Sequence, residues 1–176
     1  GFHNVGKHIG GGSVLDISTA SPTPPATQDK IIGTVNKILP DGSGGWYVGG
    51  AFTKVGNQSV SHLVHFFSDM TLDPNFNVRP NNIVFDLHLD GTSLWVAGAF
   101  SNVTMNGGPV QNRKGIFKLD LSSGSPVLDD FYVNLPATSW GDSTGQARIY
   151  AVVTDTSNVF ITGLNYINST SSYDIS

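Results

Sequence analysis

One seven-residue segment occurs three times in this chain and constrains the fold more than any other feature. Residues 46–52 read Trp-Tyr-Val-Gly-Gly-Ala-Phe. Residues 94–100, 48 positions on, read Leu-Trp-Val-Ala-Gly-Ala-Phe, and residues 159–165, a further 65 positions on, read Val-Phe-Ile-Thr-Gly-Leu-Asn. Gly50, Gly98 and Gly163 coincide, as do the aromatics Tyr47, Trp95 and Phe160. Self-similarity on this scale means supersecondary units that cannot bury their own faces and must stack on one another.

The flanks repeat as well. Each segment follows an Asp-led turn (Asp41-Gly42, Asp90-Gly91, Asp155-Thr156), and each turn follows an apolar run, at 31–39, 83–89 and 149–153. An Asp-Gly step between two β-rich runs is a hairpin signal. Further back, Val-Leu-Asp-Ile-Ser-Thr at 14–19 matches Lys-Leu-Asp-Leu-Ser-Ser at 118–123, and Phe2-His3-Asn4-Val5-Gly6 aligns with residues 52–56. The chain thus divides into the back half of a unit (1–30), a complete unit (31–80), a second complete unit (81–144) with insertions near 105–111 and 122–126, and the front half of another (145–176). All belong to one domain, with 21–27 and 137–144 as loops between units.

The first complete unit should carry strands near 31–39, 44–52, 61–68 and 74–79. No segment sustains the 3.6-residue apolar period of a helix. The expected fold is therefore all-β, with β-propeller blades of four antiparallel strands and about three blades of a larger ring. The recurring glycines are expected where the chain packs so closely that a β-carbon would clash.

The run from Asp41 to Gly56, with its Asp-Gly turn, its aromatic-Val-Gly-Gly-x-Phe strand and its following Val55-Gly56, resembles the bacterial delta-60-repeat β-propeller family. Leu72-Asp73-Pro74-Asn75-Phe76 fits a later part of that pattern, and Asp129-Asp130-Phe131 echoes it. The likeness covers nearly all of residues 1–165 and is more distantly kelch-like. It implies a large secreted or surface-exposed bacterial protein. Ala97, Thr162 and Asn165 depart from the pattern and mark diverged units.

Composition narrows the function. Charged residues are 12% of the chain, the net charge is −4, and nine Lys and Arg are scattered without a run. The basic footprint of a nucleic-acid binder is missing. The longest apolar runs are too short to span a bilayer. There is no cysteine, hence no disulfide frame or thiolate chemistry. The chain opens on Gly1 without a signal-peptide pattern, which reads as an upstream portion removed or not included.

Chemistry-bearing motifs are few. Of the five histidines (His3, His8, His62, His65, His88), His62 and His65 stand three apart and point to opposite faces of a regular strand, a poor chelate. Asp86, His88 and Asp90 share one strand face and form the one polar stripe with catalytic potential; hydrogen bonds between packed units are the simpler role. The turn carboxylates Asp41, Asp90 and Asp155 lack calcium-loop spacing and are expected to accept bonds from their own turns. Gly10-Gly11-Gly12-Ser13 lacks the Lys-Ser/Thr tail of a phosphate loop. All thirteen acids are Asp, which disfavours a general acid of raised pKa without excluding one. Sequons begin at Asn57, Asn102 and Asn168. No catalytic set, metal site or cofactor is expected.

The expected function is a non-enzymatic, extracellular or cell-surface propeller that binds a glycan or protein or serves as a scaffold. Its immediate partners would be the remaining blades or a neighbouring copy. Two alternatives stand beside it. One is a propeller enzyme acting on glycans, with active residues partly outside this span. The other is a structural subunit of an extracellular assembly, suggested by the complementary half-units at 1–30 and 145–176.

Overall fold

Each of the three recurring glycines lies in a β-hairpin, across from a bulge. The computed structural model describes residues 30–133, 147–167 and 172–175, together with Ser18. The half-unit expected at 1–30, with its glycine run and two of the histidines, lies almost wholly outside the described residues. The 137–144 loop and the Asn168 sequon lie wholly outside them. Among the described residues the protein is all-β, with antiparallel sheets and no helix.

The first hairpin is β1 (Ile31–Pro40) and β2 (Trp46–Val55). β3 (Gln58–Ser59) folds back on the end of β2, and β4 (Leu63–Phe66) pairs along its first half. The chain then crosses Phe66 once more through a single bridge at Leu72. The fourth strand expected at 74–79 does not form there. Asp73 accepts the Asn75 N–H with its side chain at 2.8 Å, and this Asx turn, reinforced by Pro74, diverts the chain. Residues 78–80 become β5 (Val78–Pro80), which pairs with the next unit.

That next unit repeats the plan with its long strands broken in two. β6 (Val84–Asp90) pairs with β7 (Ser93–Gly98), followed by β10 (Ile116–Asp120) and β11 (Val127–Leu128), in the order β11-β10-β7-β6. The outer ends of the hairpin form a separate small sheet, in which β8 (Asn102–Met105) lies between β5 and β9 (Val110–Asn112). So β5 with β6 corresponds to β1, and β7 with β8 corresponds to β2. Asn81 staples the break: its amide oxygen accepts the Ser101 and Asn102 N–H groups, and its amide nitrogen donates to Ser101 Oγ. The last hairpin is β12 (Arg148–Thr154) with β13 (Val159–Ile167), extended by β14 (Ser172–Ile175).

The pairing registers make the equivalence exact to the residue. Val35 faces Gly50 and Lys37 faces Gly49, leaving Asn36 as an extra residue. Val84 faces Gly98 and Asp86 faces Ala97, leaving Phe85; Ile149 faces Gly163 and Ala151 faces Thr162, leaving Tyr150. A β-carbon on Gly50, Gly98 or Gly163 would collide with the carbonyl oxygen of Thr34, Ile83 or Arg148 respectively, each two residues before the bulge. Close packing is therefore the role of these glycines, but the neighbour is the strand of their own hairpin. The next unit instead compresses Gly49, through Val84, and crowds Gly115, through Ile149 and Ala147.

The sheets stack face to face, with β6 against β1 on one side and against β12 on the other. One core joins Tyr47, Leu63 and Phe76 of the first unit to Val84, Leu87 and Phe117 of the second. Another joins Trp95, Ala97 and Ile116 to Ile149 and Val152 of the third. A third core, on the first sheet's own far side, gathers Val48, Phe52, Val55, Val64 and Phe66. Alternation along β6 explains the two-sided burial. Leu87 points to the first sheet, while Asp86, His88 and Asp90 point to the third. A fully buried aromatic such as Phe117 contributes about 2–3 kcal/mol.

Candidate functional site

The Asp86-His88-Asp90 stripe does lie on one strand face, and that face meets β12. Asp86 Oδ1 lies 2.8 Å from Lys37 Nζ, and its Oδ2 accepts the Val152 N–H at 3.0 Å. One carboxylate thus ties together strands of three successive units. Thr154 donates its hydroxyl hydrogen to Asp90 Oδ2 at 3.0 Å. The same hydroxyl oxygen lies 3.0 Å from His88 Nε2, so His88 is the donor of that bond. Each of the three side chains has a bond into a neighbouring sheet. The adjacent bulge residues Phe85 and Tyr150 pack ring to ring at 5.1 Å, and Asn36 donates its amide to the Val84 carbonyl at 2.8 Å.

A second constellation escapes sequence reasoning. His65, on β4, is 8% exposed. Its Nδ1 lies 2.9 Å from Asp73 Oδ2 and its Nε2 lies 3.1 Å from Asp41 Oδ2. An ionised carboxylate only accepts, so both bonds are complete when both ring nitrogens carry hydrogen. The ring stacks on Tyr47 at 4.6 Å and touches Phe67 and Phe76 edge-on or tilted. Burial pushes Asp41 up, but the Ser43 N–H, His65 and the Gly45 N–H outweigh it and leave its carboxyl below the usual range. Burial, reinforced by the charges of Asp41 and Asp73, raises the Tyr47 phenol to about 12.

Asp41, His65 and Asp73 have the residue types of a catalytic triad but not its openness. With both nitrogens bonded, His65 has none left to take a substrate's proton. The next unit repeats the arrangement with different residues. Lys118 occupies the place of His65, 2.9 Å from Asp129 and over the Trp95 ring at 5.6 Å. Asp129 accepts the Phe131 N–H as Asp73 accepts that of Asn75, and Phe131 packs on Trp95 as Phe76 packs on Tyr47. Each cluster pins the outer edge of its sheet to the hairpin. The signal was the register: Tyr47 stands opposite His65 as Trp95 stands opposite Lys118. The echo between Leu72-Asp73 and Leu128-Asp129 points the same way.

The remaining candidates separate. His62, three residues from His65, holds a positive φ of 62° and leaves its buried Nδ1 without a partner. Burial, partly offset by a hydrogen bond with the Gly50 backbone, lowers its pKa. Asp41 and Asp155 accept hydrogens from their own turns, as expected, whereas the carboxylate of Asp90 reaches across to Thr154. Asn57 is exposed at the β2–β3 turn, while Asn102 is half-buried on β8 with its backbone N–H held by Asn81. Among the described residues, no three His, Asp or other acidic side chains converge as metal ligands, and no helix is long and apolar enough to cross a membrane.

The two insertions of the second unit meet in space. Met105, Asn106, Pro109 and Gln111 from the first, and Pro126 from the second, line an open cleft of about 430 Å³. Val127 and Leu128 add an apolar wall, and Arg113 and Asp130 add one charge of each sign. Arg113 is held in place by its donations to the carbonyls of Asn112 and Asp129, and its guanidinium lies 5.7 Å from the Tyr132 ring centre. Its Nε is buried without a partner. Two strand edges border this cleft, those of β9 and β11. In size it falls within the range of small-ligand sites.

Comparison of the chain with protein-family models, with curated proteins and with solved structures returned no match.

Proposed function

We propose that this chain is a run of β-propeller blades acting as a non-enzymatic binding scaffold, secreted or held at a cell surface, with the 430 Å³ cleft between its two insertions as the ligand seat. The blade reading is supported by the stacked, register-matched meanders and by the bulge that recurs in each. The convergence of both insertions on one concavity carries the binding reading. Repeat proteins place unit-specific insertions on the face that does their work, and here two separate departures from the repeat build one site. Low charge and polar Asn-, Ser- and Thr-rich turns support the extracellular setting. Against catalysis stands the use made of the polar side chains. The bonds of Asp86, His88 and Asp90 run between sheets, and both nitrogens of His65 are engaged.

The mixed lining suits a neutral glycan or an extended protein segment. The test is binding of the 176-residue chain to glycan and matrix-protein arrays, beside a variant whose 105–111 loop is cut to the Gly56-Asn57 turn of the preceding unit. Ligand capture by the chain and its loss in the variant support the proposal. Glycan turnover abolished by Asp86→Asn or His88→Gln would overturn it in favour of an enzyme.

A further inference from the structure

The basic residues are scattered in the sequence and gathered in the fold. The bulge divides every hairpin into a turn end and an open end. Acids hold the turn end. Asp41, Asp69, Asp120 and Asp155 each accept an N–H group of their own turn, and Asp90 ends β6 there. Asp73, Asp86 and Asp129, also on the turn side, face His65, Lys37 and Lys118 respectively. The open end carries the opposite charge. The Lys30 carbonyl accepts the Gly56 N–H there, and Lys54 stands opposite Ser59. Arg79 donates to the Ser59 carbonyl at 3.2 Å. The Arg113 N–H meets the Ser101 carbonyl, and Lys114 follows it. Lys30, Lys54 and Arg79 are exposed, and Arg113 and Lys114 are half-buried. Among the described residues, none of these side chains comes within ion-pairing distance of a carboxylate. Asp130 at the cleft and Asp174 on β14 are the described acids that depart from the pattern.

The fold explains the acids but not the cations. A carboxylate at a turn satisfies that turn's N–H groups. The open-end cations neutralise no carboxylate, and gathering like charges on one rim costs repulsion. Arg79 and Arg113 are steadied by neutral groups only, the Asn77 amide oxygen and the carbonyls of Ser59, Asn112 and Asp129, so their charge is fixed in place and left uncancelled. The units stack sheet face to sheet face, so further units would lengthen this rim and not cover it. We infer that the open end binds an acidic polysaccharide. Sulfate or carboxylate groups recur along such a chain as the cations recur here, from β2 to β5 to the end of β9. The choice of a polysaccharide among polyanions rests on the extracellular reading above. The charge placement does not, and it shares only Arg113 with the ligand seat.

Isothermal titration of the 176-residue chain with heparin at low salt tests it, with neutral dextran as the control. The net charge of the chain is −4, so attraction to its overall charge cannot produce binding. Heparin is expected to bind and to dissociate as salt rises, and dextran is expected not to bind. Lys54→Gln combined with Arg79→Gln should weaken heparin binding about tenfold and flatten its salt dependence. Adding Asp69→Asn and Asp120→Asn restores the net charge and should restore none of the binding. No heparin binding, a double variant that binds as the wild type does, or recovery in the charge-restored variant would each overturn the inference. So would tighter binding of duplex DNA or of phosphatidylserine vesicles than of heparin. Heparin binding that survives the cut 105–111 loop, while neutral glycans and matrix proteins go uncaptured, would sink the ligand seat and leave this inference standing. Far-UV circular dichroism checks that the variants are folded. Should Arg79→Gln unfold, Lys30→Gln with Lys54→Gln carries the same expectation.

Discussion

Gly98 lies so close to the carbonyl oxygen of Ile83 that no β-carbon fits between them, and Gly50 and Gly163 meet Thr34 and Arg148 in the same way. The contact belongs to the bulge that shapes each hairpin, so it is set by backbone and cannot be relieved by a side-chain turn. Gly98→Ala is expected to cost about 3 kcal/mol, at the upper end for overpacking. Gly91 has a φ of +57° but open space around it, so Gly91→Ala should cost only about 1–2 kcal/mol, the left-handed penalty alone. Urea denaturation of both variants measures the difference; equal costs would mean that the bulge relaxes.

The Asp86 side chain bonds to both neighbouring units at once. Asp86→Ala leaves the Val152 N–H unpaired and Lys37 without its partner, and should cost about 2 kcal/mol. Asp86→Asn can still accept from Val152, and Lys37 is 39% exposed, so solvent screening limits the loss to about 1 kcal/mol or less. Chemical denaturation orders the two; a costlier Asn variant would contradict this account.

The His65 and Lys118 clusters predict which substitution the first unit tolerates. His65→Leu strands two buried carboxylates and should cost about 3–5 kcal/mol. His65→Lys places there the residue that the second unit uses against Asp129, and should recover at least half of that loss. Thermal unfolding of both variants decides; a lysine as damaging as leucine would mean that the second ring nitrogen's bond to Asp41 is indispensable.

Acid should weaken the fold in two stages. His62 has a lowered pKa in the folded protein, so the unfolded chain binds its proton first, and stability falls once pH drops below the unfolded value of about 6.5. Asp41 and Asp129 are also lowered. Burial opposes this at Asp129 but is outweighed by Lys118 and the Phe131 N–H. Their contribution is present above the unfolded value of about 4 and is lost as pH falls through their folded values. In His62→Asn, which tolerates a positive φ, the upper stage should vanish and the lower one remain. Melting temperatures from pH 8 to 3 would reveal both stages; an unchanged upper stage in that variant would assign it to another group.

Much of this architecture is legible in the residues themselves. A glycine in register after an aromatic and an Asp-led turn demanded a repeated hairpin, because only a β-carbon-free position can pass so near a carbonyl. The Asp86-His88-Asp90 stripe was equally readable, since alternate residues of any strand share a face. Local pattern was silent on what that face would meet. Val152 and Thr154 are more than sixty positions away, and only the stacking of β6 on β12 brought them into bonding range. The same holds for Asp41, His65 and Asp73, which come from a turn, a strand and a second turn, and for the insertions at 105–111 and 122–126, which read as separate and line one cleft. Sequence periodicity dictates which way a side chain points, because that is local backbone geometry. Which group waits there depends on how whole sheets pack, and for these sites the tertiary structure alone decided it.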